Sequence, residues 1–209
     1  MLKNKRILIT AGPTWVPIDS VRVISNIATG ETGRLLAERL QKAGAKVTLI
    51  IGHTGCSSSN RNIRIINFKF FDDLRKILKK ELRLTKYDFI IHSAAVSDFK
   101  PRRTIKNKID SARPRTLKLI GLPKIIKDIR SLNPEGKLVM FKLESGVNDT
   151  TLIKRARKSL LAYQADFVVA NRVFRAYKAF VLNHSKVYSK AGSKKELVRK
   201  LVEVLKRAR

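Results

Sequence analysis

A short stretch near the amino terminus combines residue types that bind anions. The apolar run that ends at Thr10 is followed by a Gly-Pro-Thr breaker, and small residues from Thr29 to Gly33 precede an amphipathic segment. Backbone N–H groups at a helix start, together with the helix dipole, attract negative charge. The guanidinium of Arg22 suits a phosphate, and the side-chain amide of Asn26 suits a polarised acyl oxygen. The stretch therefore predicts an anion site, with tight turns and helix–sheet packing as the alternative use of its glycines.

A second group of polar residues follows another apolar run. Ser93-Ala94-Ala95-Val96-Ser97-Asp98 comes directly after a predicted strand, and Lys108 lies in a basic stretch, residues 100–115. Asp98 could hold a ribose hydroxyl or a metal-bound phosphate, or it could cap a turn. The basic stretch is too charged to pack and too long for an ordinary connection. It therefore predicts a flexible lid, and the alternative for its lysines is solvated charge.

Apolar strands alternate with amphipathic helices along most of the chain. This pattern predicts a doubly wound, mostly parallel, Rossmann-like α/β sheet in a single domain covering residues 1–209, with a β-hairpin and a helix at its end. The predicted strands are 6–10, 47–51, 63–68, 88–92, 138–141 and 167–171, with a short one at 117–119 and the hairpin at 179–188. The predicted helices are 30–44, 73–84 capped by Asp72, one opened by Pro123, 149–162, and one capped by Ser193. Because ligands bind outside the carboxyl ends of such strands, the two groups of polar residues should be neighbours.

The composition is strongly basic and narrows the possible classes. Lys and Arg number 46 against 16 acidic residues, a formal net charge of +30. These charges are spread over every predicted helix and loop without an aromatic stacking platform, which favours a solvated surface over a dedicated nucleic-acid site. Cys56 is the only cysteine, which excludes an intramolecular disulfide and fits a reducing compartment. Without a membrane-length apolar run, a leader-like segment or metal-ligand spacing among the histidines, we expect a cytoplasmic protein without its own metal site.

Seven segments share one pattern in order along the chain. They are 9–14 (ITAGPT), 17–22 (PIDSVR), 24–33 (ISNIATGETG), 93–99 (SAAVSDF), 108–111 (KIDS), 141–144 (FKLE) and 165–171 (ADFVVAN). Together they span nearly the whole chain and resemble the phosphopantothenate–cysteine ligase family of coenzyme A biosynthesis. The resemblance is greatest to the stand-alone form, which lacks the flavin-dependent decarboxylase domain that is often fused in front.

The resemblance implies a ligation in two half-reactions. The carboxylate of phosphopantothenate attacks CTP or ATP to give an acyl-nucleotide and pyrophosphate, and the amine of cysteine then displaces the nucleotide. Mg²⁺ accompanies the triphosphate. The resemblance implies that Asn26 stabilises the acyl-nucleotide, Arg22 holds the substrate phosphate, and Lys108 meets the α-phosphate or the reacting carboxyl. The other implied contacts are Gly12, Thr14, Thr29, Gly30 and Gly33 for phosphopantothenate, and Ser93, Ala94, Asp98, Lys108, Pro123, Ile126, Phe141 and Lys158 for the nucleotide.

Three positions depart from the family pattern. Asp110 lies where many members have a second lysine, and Arg172 lies where an aspartate is usual. Of a lysine pair expected on the helix before the sixth strand, only Lys158 is matched. The triphosphate contacts therefore stay open, with two substitutes on that helix, Arg155 and Arg157. The family also implies a homodimer, and a separate flavin-dependent decarboxylase as a partner stays open.

Two other functions compete with the ligase. An NAD(P)-dependent short-chain dehydrogenase has a segment similar to residues 92–96, but no tyrosine here is followed by lysine four residues later, and the glycine fingerprint is missing. A basic RNA-binding α/β protein would account for the charge. It predicts salt-sensitive RNA binding and no release of pyrophosphate.

Overall fold

The computed structural model describes residues 2–53, 60–112, 114–174 and 176–208. The strands in them are β1 (Arg6–Ala11), β2 (Trp15–Pro17), β3 (Val23–Ser25), β4 (Lys46–Gly52), β5 (Arg64–Phe68), β6 (Phe89–His92), β7 (Phe99–Pro101), β8 (Leu119–Gly121), β9 (Lys137–Glu144), β10 (Phe167–Phe174), β11 (Ala176–Leu182) and β12 (Val187–Ala191). The helices are α1 (Glu31–Lys42), α2 (Phe71–Leu84), α3 (Ile125–Leu132), α4 (Asp149–Ala162) and α5 (Lys194–Arg207).

Eight strands form one sheet in the order β12-β11-β10-β9-β6-β1-β4-β5. β1 pairs in parallel with β4 and β6, and parallel pairing continues to β5 on one side and through β9 to β10 on the other. β11 and β12 add antiparallel at the β10 edge and lead into α5. The parallel strands thus lie in the Rossmann order, and the predicted doubly wound fold with a carboxyl-terminal hairpin and helix is confirmed.

An apolar core lies on each face of the sheet. Side chains alternate along β1, so that Ile7 and Ile9 join the core on one face and Leu8 joins the core on the other. α1 and α5 cover the first face, and α2, α3 and α4 cover the second. Burial on both faces explains why the central strands are apolar throughout.

The helices α2 and α3 begin at residues other than those predicted. α2 begins at Phe71, and its first turn is held by Asp73, whose carboxylate accepts the N–H of Phe70 at 3.0 Å. The prediction that Asp72 caps this helix is therefore wrong, because an aspartate at the third helical position reaches back to the capping residue. Pro123 does not open α3, which begins two residues later, because the chain is still extended after β8.

The carboxyl-terminal helices follow the sequence closely. α4 has the predicted bounds, and the hydroxyl of Ser193 accepts the N–H of Glu196 at 3.2 Å, as expected for the cap of α5. The carboxylate of Glu196 bonds to the N–H of Gly192 rather than to that of Ser193, so the predicted capping box is displaced by one residue.

Two small antiparallel sheets, β2–β3 and β7–β8, lie outside the main sheet, and β2 contacts β7. The sequence does not predict either pair, because three-residue strands show no usable periodicity. The strand expected at 117–119 lies two residues later, in β8. The predicted lid begins within β7, and the N–H of Arg102, near its start, donates to the carbonyl of Lys118, three residues beyond its end, at 2.8 Å.

Most of the loop predicted at 53–62, including Cys56, lies outside the described residues. Among the helices that the structure does describe, none is both long enough and apolar enough to cross a membrane.

Candidate active site

The strand order reverses between β1 and β6, and the loops after these strands are hydrogen-bonded to each other. The N–H of Ala95 donates to the carbonyl of Gly12 at 2.9 Å, and the N–H of Thr14 donates to the carbonyl of Ala95 at 3.2 Å. Gly12 permits this close pairing because its φ is 77°, in the left-handed region. The pairing fixes the floor of a cleft at the point where doubly wound sheets bind ligands.

Two predicted site residues use their side chains to build this floor. Thr14 is fully buried, and its hydroxyl donates to Ser97 Oγ at 3.1 Å and accepts the Ser97 N–H at 2.9 Å. The hydroxyl of Ser93 donates to the carbonyl of Thr10 at 2.7 Å, and the N–H of Ala94 donates to Thr10 Oγ1 at 3.3 Å. Thr14 and Ser93 therefore shape the cleft, and their side chains are already bonded within the protein.

Asn26 connects the loop before α1 to the loop after β6. Its Nδ2 donates to the carbonyls of Ala95 and Val96, each at 3.1 Å, across about 70 residues of sequence. The structure thus brings the two groups of polar residues together, as the sequence predicts. Because both N–H groups of the amide are engaged, a direct bond from Nδ2 to an acyl oxygen requires the exchange of one of them.

The start of α1 faces the same cleft. Gly30 is its N-cap with φ 70°, and this residue has no side chain to cap the helix. The Thr29 hydroxyl accepts the N–H of Glu31 at 3.4 Å. Gly33 has a different role: a Cβ built on it would lie 2.4 Å from Ala11 Cβ, so its small size allows α1 to pack on β1. The sequence left the use of the glycines open, and at Gly33 the structure favours helix–sheet packing.

Arg22 lies beside the predicted lid. Its Nη1 donates to the carboxylate of Asp19 at 2.9 Å and to the carbonyl of Ile109 at 3.1 Å. Ile109 follows Lys108, whose side chain is exposed. Arg22 and Lys108 are therefore on neighbouring segments, and the Arg22 side chain is 40% exposed, which leaves other N–H groups for a ligand.

The residues expected to hold the nucleotide lie around the far side of the cleft. Asp98 is 60% exposed and forms an ion pair with Lys124 at 2.5 Å. Ile126, just after the exposed Pro123, is buried in the core beneath α2, α3 and α4, whereas Phe141 packs against the core of the opposite face. Ile126 and Phe141 thus lie on opposite faces of the sheet, and a single pocket that contacts both side chains must extend around the carboxyl ends of the strands.

The three candidate triphosphate contacts, Lys158, Arg155 and Arg157, lie along α4, and Arg172, a departure from the family pattern, lies in β10. Lys158 is exposed on α4, nine residues beyond Asp149 and so about 14 Å along the helix from the cleft edge. Arg155 pairs with Glu144 at 2.7 Å, and Arg172 pairs with Asp149 at 2.9 Å. Arg157 donates to the carbonyl of Ser185 at 3.4 Å, away from the cleft. Arg172 lies directly opposite Glu144 in the β9–β10 ladder, so Arg155 and Arg172 lie close together, whereas Arg157 lies at Ser185. Contact of these residues with a triphosphate stays a prediction.

His92 lies at the end of β6 with its Nδ1 2.7 Å from Thr10 Oγ1. Burial lowers the pKa of this imidazole to about 4, so the ring is neutral at physiological pH. The sequence allowed a hydrogen-bonded edge residue at this position, which the structure confirms. Among the described residues, no three His, Cys, Asp or Glu side chains gather to hold a metal ion.

Asp19 is a residue of the site that the sequence analysis did not single out. Two signals were available: Asp19 lies in the matched segment 17–22, and it comes three residues before Arg22, a spacing typical of an aspartate that stabilises a turn. Its contact with the lid, 90 residues away, has no signature in the sequence.

Comparison with known proteins decides the family. The model of the C-terminal domain of DNA/pantothenate metabolism flavoproteins matches residues 2–206. The chain belongs to this family. The bifunctional coenzyme A biosynthesis protein CoaBC of Thermococcus kodakarensis is 38% identical over 170 residues, covering 81% of this chain and 42% of that protein.

Solved structures agree with this membership. The DNA/pantothenate metabolism flavoprotein from Streptococcus pneumoniae has a TM-score of 0.86 at 28% identity, covering 97% of this chain and 99% of that one. The C-terminal domain of a CoaBC protein has a TM-score of 0.81 at 25% identity, covering 99% and 96%. The family that the seven sequence segments resemble is thereby confirmed. The chain spans about half the length of the curated relatives it matches.

Proposed function

We propose that the chain joins phosphopantothenate to cysteine, with CTP or ATP as the activating nucleotide. One observation carries the proposal: the amide of Asn26 bonds directly to the loop carbonyls of Ala95 and Val96. This contact supports the proposal because it joins the segment assigned to phosphopantothenate to the segment assigned to the nucleotide, at the edge where this fold binds ligands. The family match over residues 2–206 supports the same reaction.

In the first half-reaction, a carboxylate oxygen attacks the α-phosphorus and the bond to the β-phosphate breaks, which releases pyrophosphate. Arg22 holds the phosphate of phosphopantothenate, and Lys108 offers positive charge to the reacting groups. Mg²⁺ bound to the triphosphate would neutralise part of its charge, and the exposed carboxylate of Asp98, which pairs with Lys124, would offer it an oxygen ligand.

In the second half-reaction, the amine of cysteine attacks the acyl carbon. The carbon–oxygen bond to the nucleotide breaks, the nucleoside monophosphate leaves, and the amine gives up a proton. Asn26 and the start of α1 hold the acyl-nucleotide during this step. The neutral imidazole of His92 adds no charge to the cleft floor.

The experiment is product analysis by mass spectrometry. The protein is incubated with phosphopantothenate, cysteine, Mg²⁺ and either CTP or ATP, and the amide product is measured. We expect product with at least one nucleotide, and none when cysteine or nucleotide is omitted. Absence of product with both nucleotides would contradict the proposal.

We also propose that two copies of the chain pair through β2–β3 and β7–β8. Exposed apolar side chains cluster on these small sheets and the segments beside them: Val21, Val23, Ile27, Phe99, Ile105, Leu117, Leu119 and Ile120. Exposed apolar side chains in such number are typical of a surface that contacts another protein. We further propose that a separate flavin-dependent decarboxylase acts on the product of this reaction. We also propose a cytoplasmic location for the chain.

A further inference from the structure

Asp19 is a buried carboxylate in the turn between β2 and β3. Its side chain is fully shielded from solvent. Oδ1 accepts the N–H groups of Val21 at 2.9 Å and of Arg22 at 2.7 Å. Such bonds stabilise the turn locally. They occupy Oδ1 and leave Oδ2 to bind a partner outside the turn.

Oδ2 of Asp19 binds the lid, the basic stretch at 100–115. It accepts the N–H of Ile109 at 3.0 Å and Arg22 Nη1 at 2.9 Å, while the same Nη1 donates to the Ile109 carbonyl at 3.1 Å. One ion pair therefore binds both backbone groups of Ile109. A further bond, from the N–H of Ile105 to the carbonyl of Ile18 at 3.0 Å, fixes the same stretch.

The charge on Asp19 strengthens this contact. The N–H of Ile109 is the largest cause that lowers the pKa of the carboxyl, burial opposes it, and the turn N–H groups and the Arg22 charge lower it further. The result is a pKa of about 2. The bonds to the lid are therefore charge-assisted at neutral pH, which makes them stronger than bonds between neutral groups.

We propose that Asp19 is a positioning residue that fixes the lid backbone at Ile109 and thereby presents Lys108 to the cleft. The inference rests on the proposed function, in which Lys108 meets the reacting groups. A lysine side chain is long and flexible, and among the described residues Lys108 has no hydrogen bond or ion pair that would hold it. Its position therefore depends on the backbone that carries it, and a loss of about 1 Å in placement can cost about 100-fold in rate.

Asp19→Asn separates the lid contact from the turn. Asparagine keeps an oxygen for the two turn bonds and replaces Oδ2 with an NH₂ group, which cannot accept the Ile109 N–H. The matched control is Asp166→Asn. Asp166 lies at the amino ends of the strands, just before β10. Asp166 Oδ2 likewise accepts a backbone N–H, from Leu138 at 2.9 Å, and a guanidinium N–H, from Arg130 at 2.6 Å.

The test is a double-mutant cycle with Lys108→Ala, an exposed substitution that should lose turnover without lowering Tm. We expect Asp19→Asn to lower kcat by about 100-fold, with KM for the nucleotide changed little. In the Lys108→Ala background Asp19→Asn should not lower kcat further, although it can still change KM for phosphopantothenate through Arg22, whose Nη1 also binds Asp19 Oδ2. The effects of Asp166→Asn and Lys108→Ala should be independent.

Amide hydrogen exchange at Ile109 gives a readout that needs no turnover. We expect exchange at this amide to speed up by about tenfold or more in Asp19→Asn and to stay unchanged in Asp166→Asn. Unchanged exchange in Asp19→Asn, or independent effects of Asp19→Asn and Lys108→Ala, would overturn the inference. If the wild-type protein does not turn over at all, the proposed function itself fails, and the assigned role of Lys108 fails with it.

Discussion

Asn26 holds two loops of the cleft through one side-chain amide, and this makes its chemistry testable. In Asn26→Asp, a carboxylate replaces the NH₂ group that donates to Ala95 and Val96. An anion so close to two carbonyl oxygens is repelled, and it also repels an anionic substrate. We expect a loss of about 100-fold or more in kcat/KM, comparable to the loss of a donor to a reacting oxygen.

The control for this substitution is Asn148→Asp. Asn148 caps α4 as an acceptor, taking the N–H of Thr151 at 2.8 Å, and an aspartate accepts the same bond. Steady-state kinetics of both variants provide the comparison. Equal losses in the two variants, or a fully active Asn26→Asp, would remove Asn26 from the proposed site.

The lowered pKa of Asp19 leads to a prediction about pH. Because the pKa in the folded protein lies below the ordinary 3.8, the stabilisation by this carboxylate is complete above that ordinary value and is lost as the pH falls through about 2. We expect an NMR titration of the Asp19 carboxyl carbon to show no protonation down to about pH 3. A midpoint at or above 3.8 would mean that the contact with Ile109 does not form in solution.

At the scale of elements, the contact between α1 and β1 depends on Gly33. A methyl group there would lie 2.4 Å from Ala11 Cβ and 3.1 Å from Ser93 Oγ, so α1 must move away from the sheet. We expect Gly33→Ala to lower the free energy of unfolding by about 1–3 kcal/mol, although alanine is the better helix former.

Denaturant unfolding of Gly33→Ala and Gly121→Ala measures this effect. Gly121 is exposed in β8, and a Cβ built on it meets no atom within 4 Å. Its substitution should change the free energy of unfolding by less than about 0.5 kcal/mol. If Gly33→Ala is as stable as the wild type, α1 does not pack on β1 as closely as described.

The main elements could be predicted from the sequence because burial controls their residues. Strands buried on both faces are apolar throughout, and Leu197 and Leu201 mark the buried stripe of α5. The sheets β2–β3 and β7–β8 could not be predicted, because each strand has only three residues and buried and exposed positions show no common pattern among them. The start of α3 could not be predicted either. Pro123 was expected to open the helix, but the chain is still extended at Lys124 and the helix begins at Ile125.

The site could be predicted in part. The sequence motifs predicted that Asn26 lies near the loop after β6 and that Arg22 lies near the lid, and the structure has both contacts. They did not reveal that the side chains of Thr14 and Ser93 are bonded within the loops, because those partners are more than 80 residues away in sequence. Lys158 was expected near the nucleotide, but it lies nine residues into α4, and the rise of the helix places it away from the cleft edge.

At the scale of the whole molecule, the exposed apolar sheets predict a dimer. Phe99 is 55% exposed, and a charge there would have to be buried in the proposed interface. We expect Phe99→Asp to convert a dimer into a monomer in sedimentation equilibrium. Leu161, which is 65% exposed on α4, is the control, and Leu161→Asp should leave the dimer intact. A monomeric wild type, or a dimeric Phe99→Asp, would contradict this interface.

The charge of +30 belongs to the same scale. A field of that sign attracts any phosphorylated anion, so it speeds the encounter with such ligands without selecting a reaction. The family match favours the ligase over a short-chain dehydrogenase or an RNA-binding protein, which the sequence alone left as alternatives.

The most direct test of the ligase proposal is the dependence of pyrophosphate release on both first-step substrates. Release is measured with phosphopantothenate and either CTP or ATP, together and separately, in the presence of Mg²⁺. The proposal predicts release only when phosphopantothenate and a triphosphate are both present, because the carboxylate must attack the α-phosphorus. Absence of release with either nucleotide, or equal release without phosphopantothenate, would contradict it.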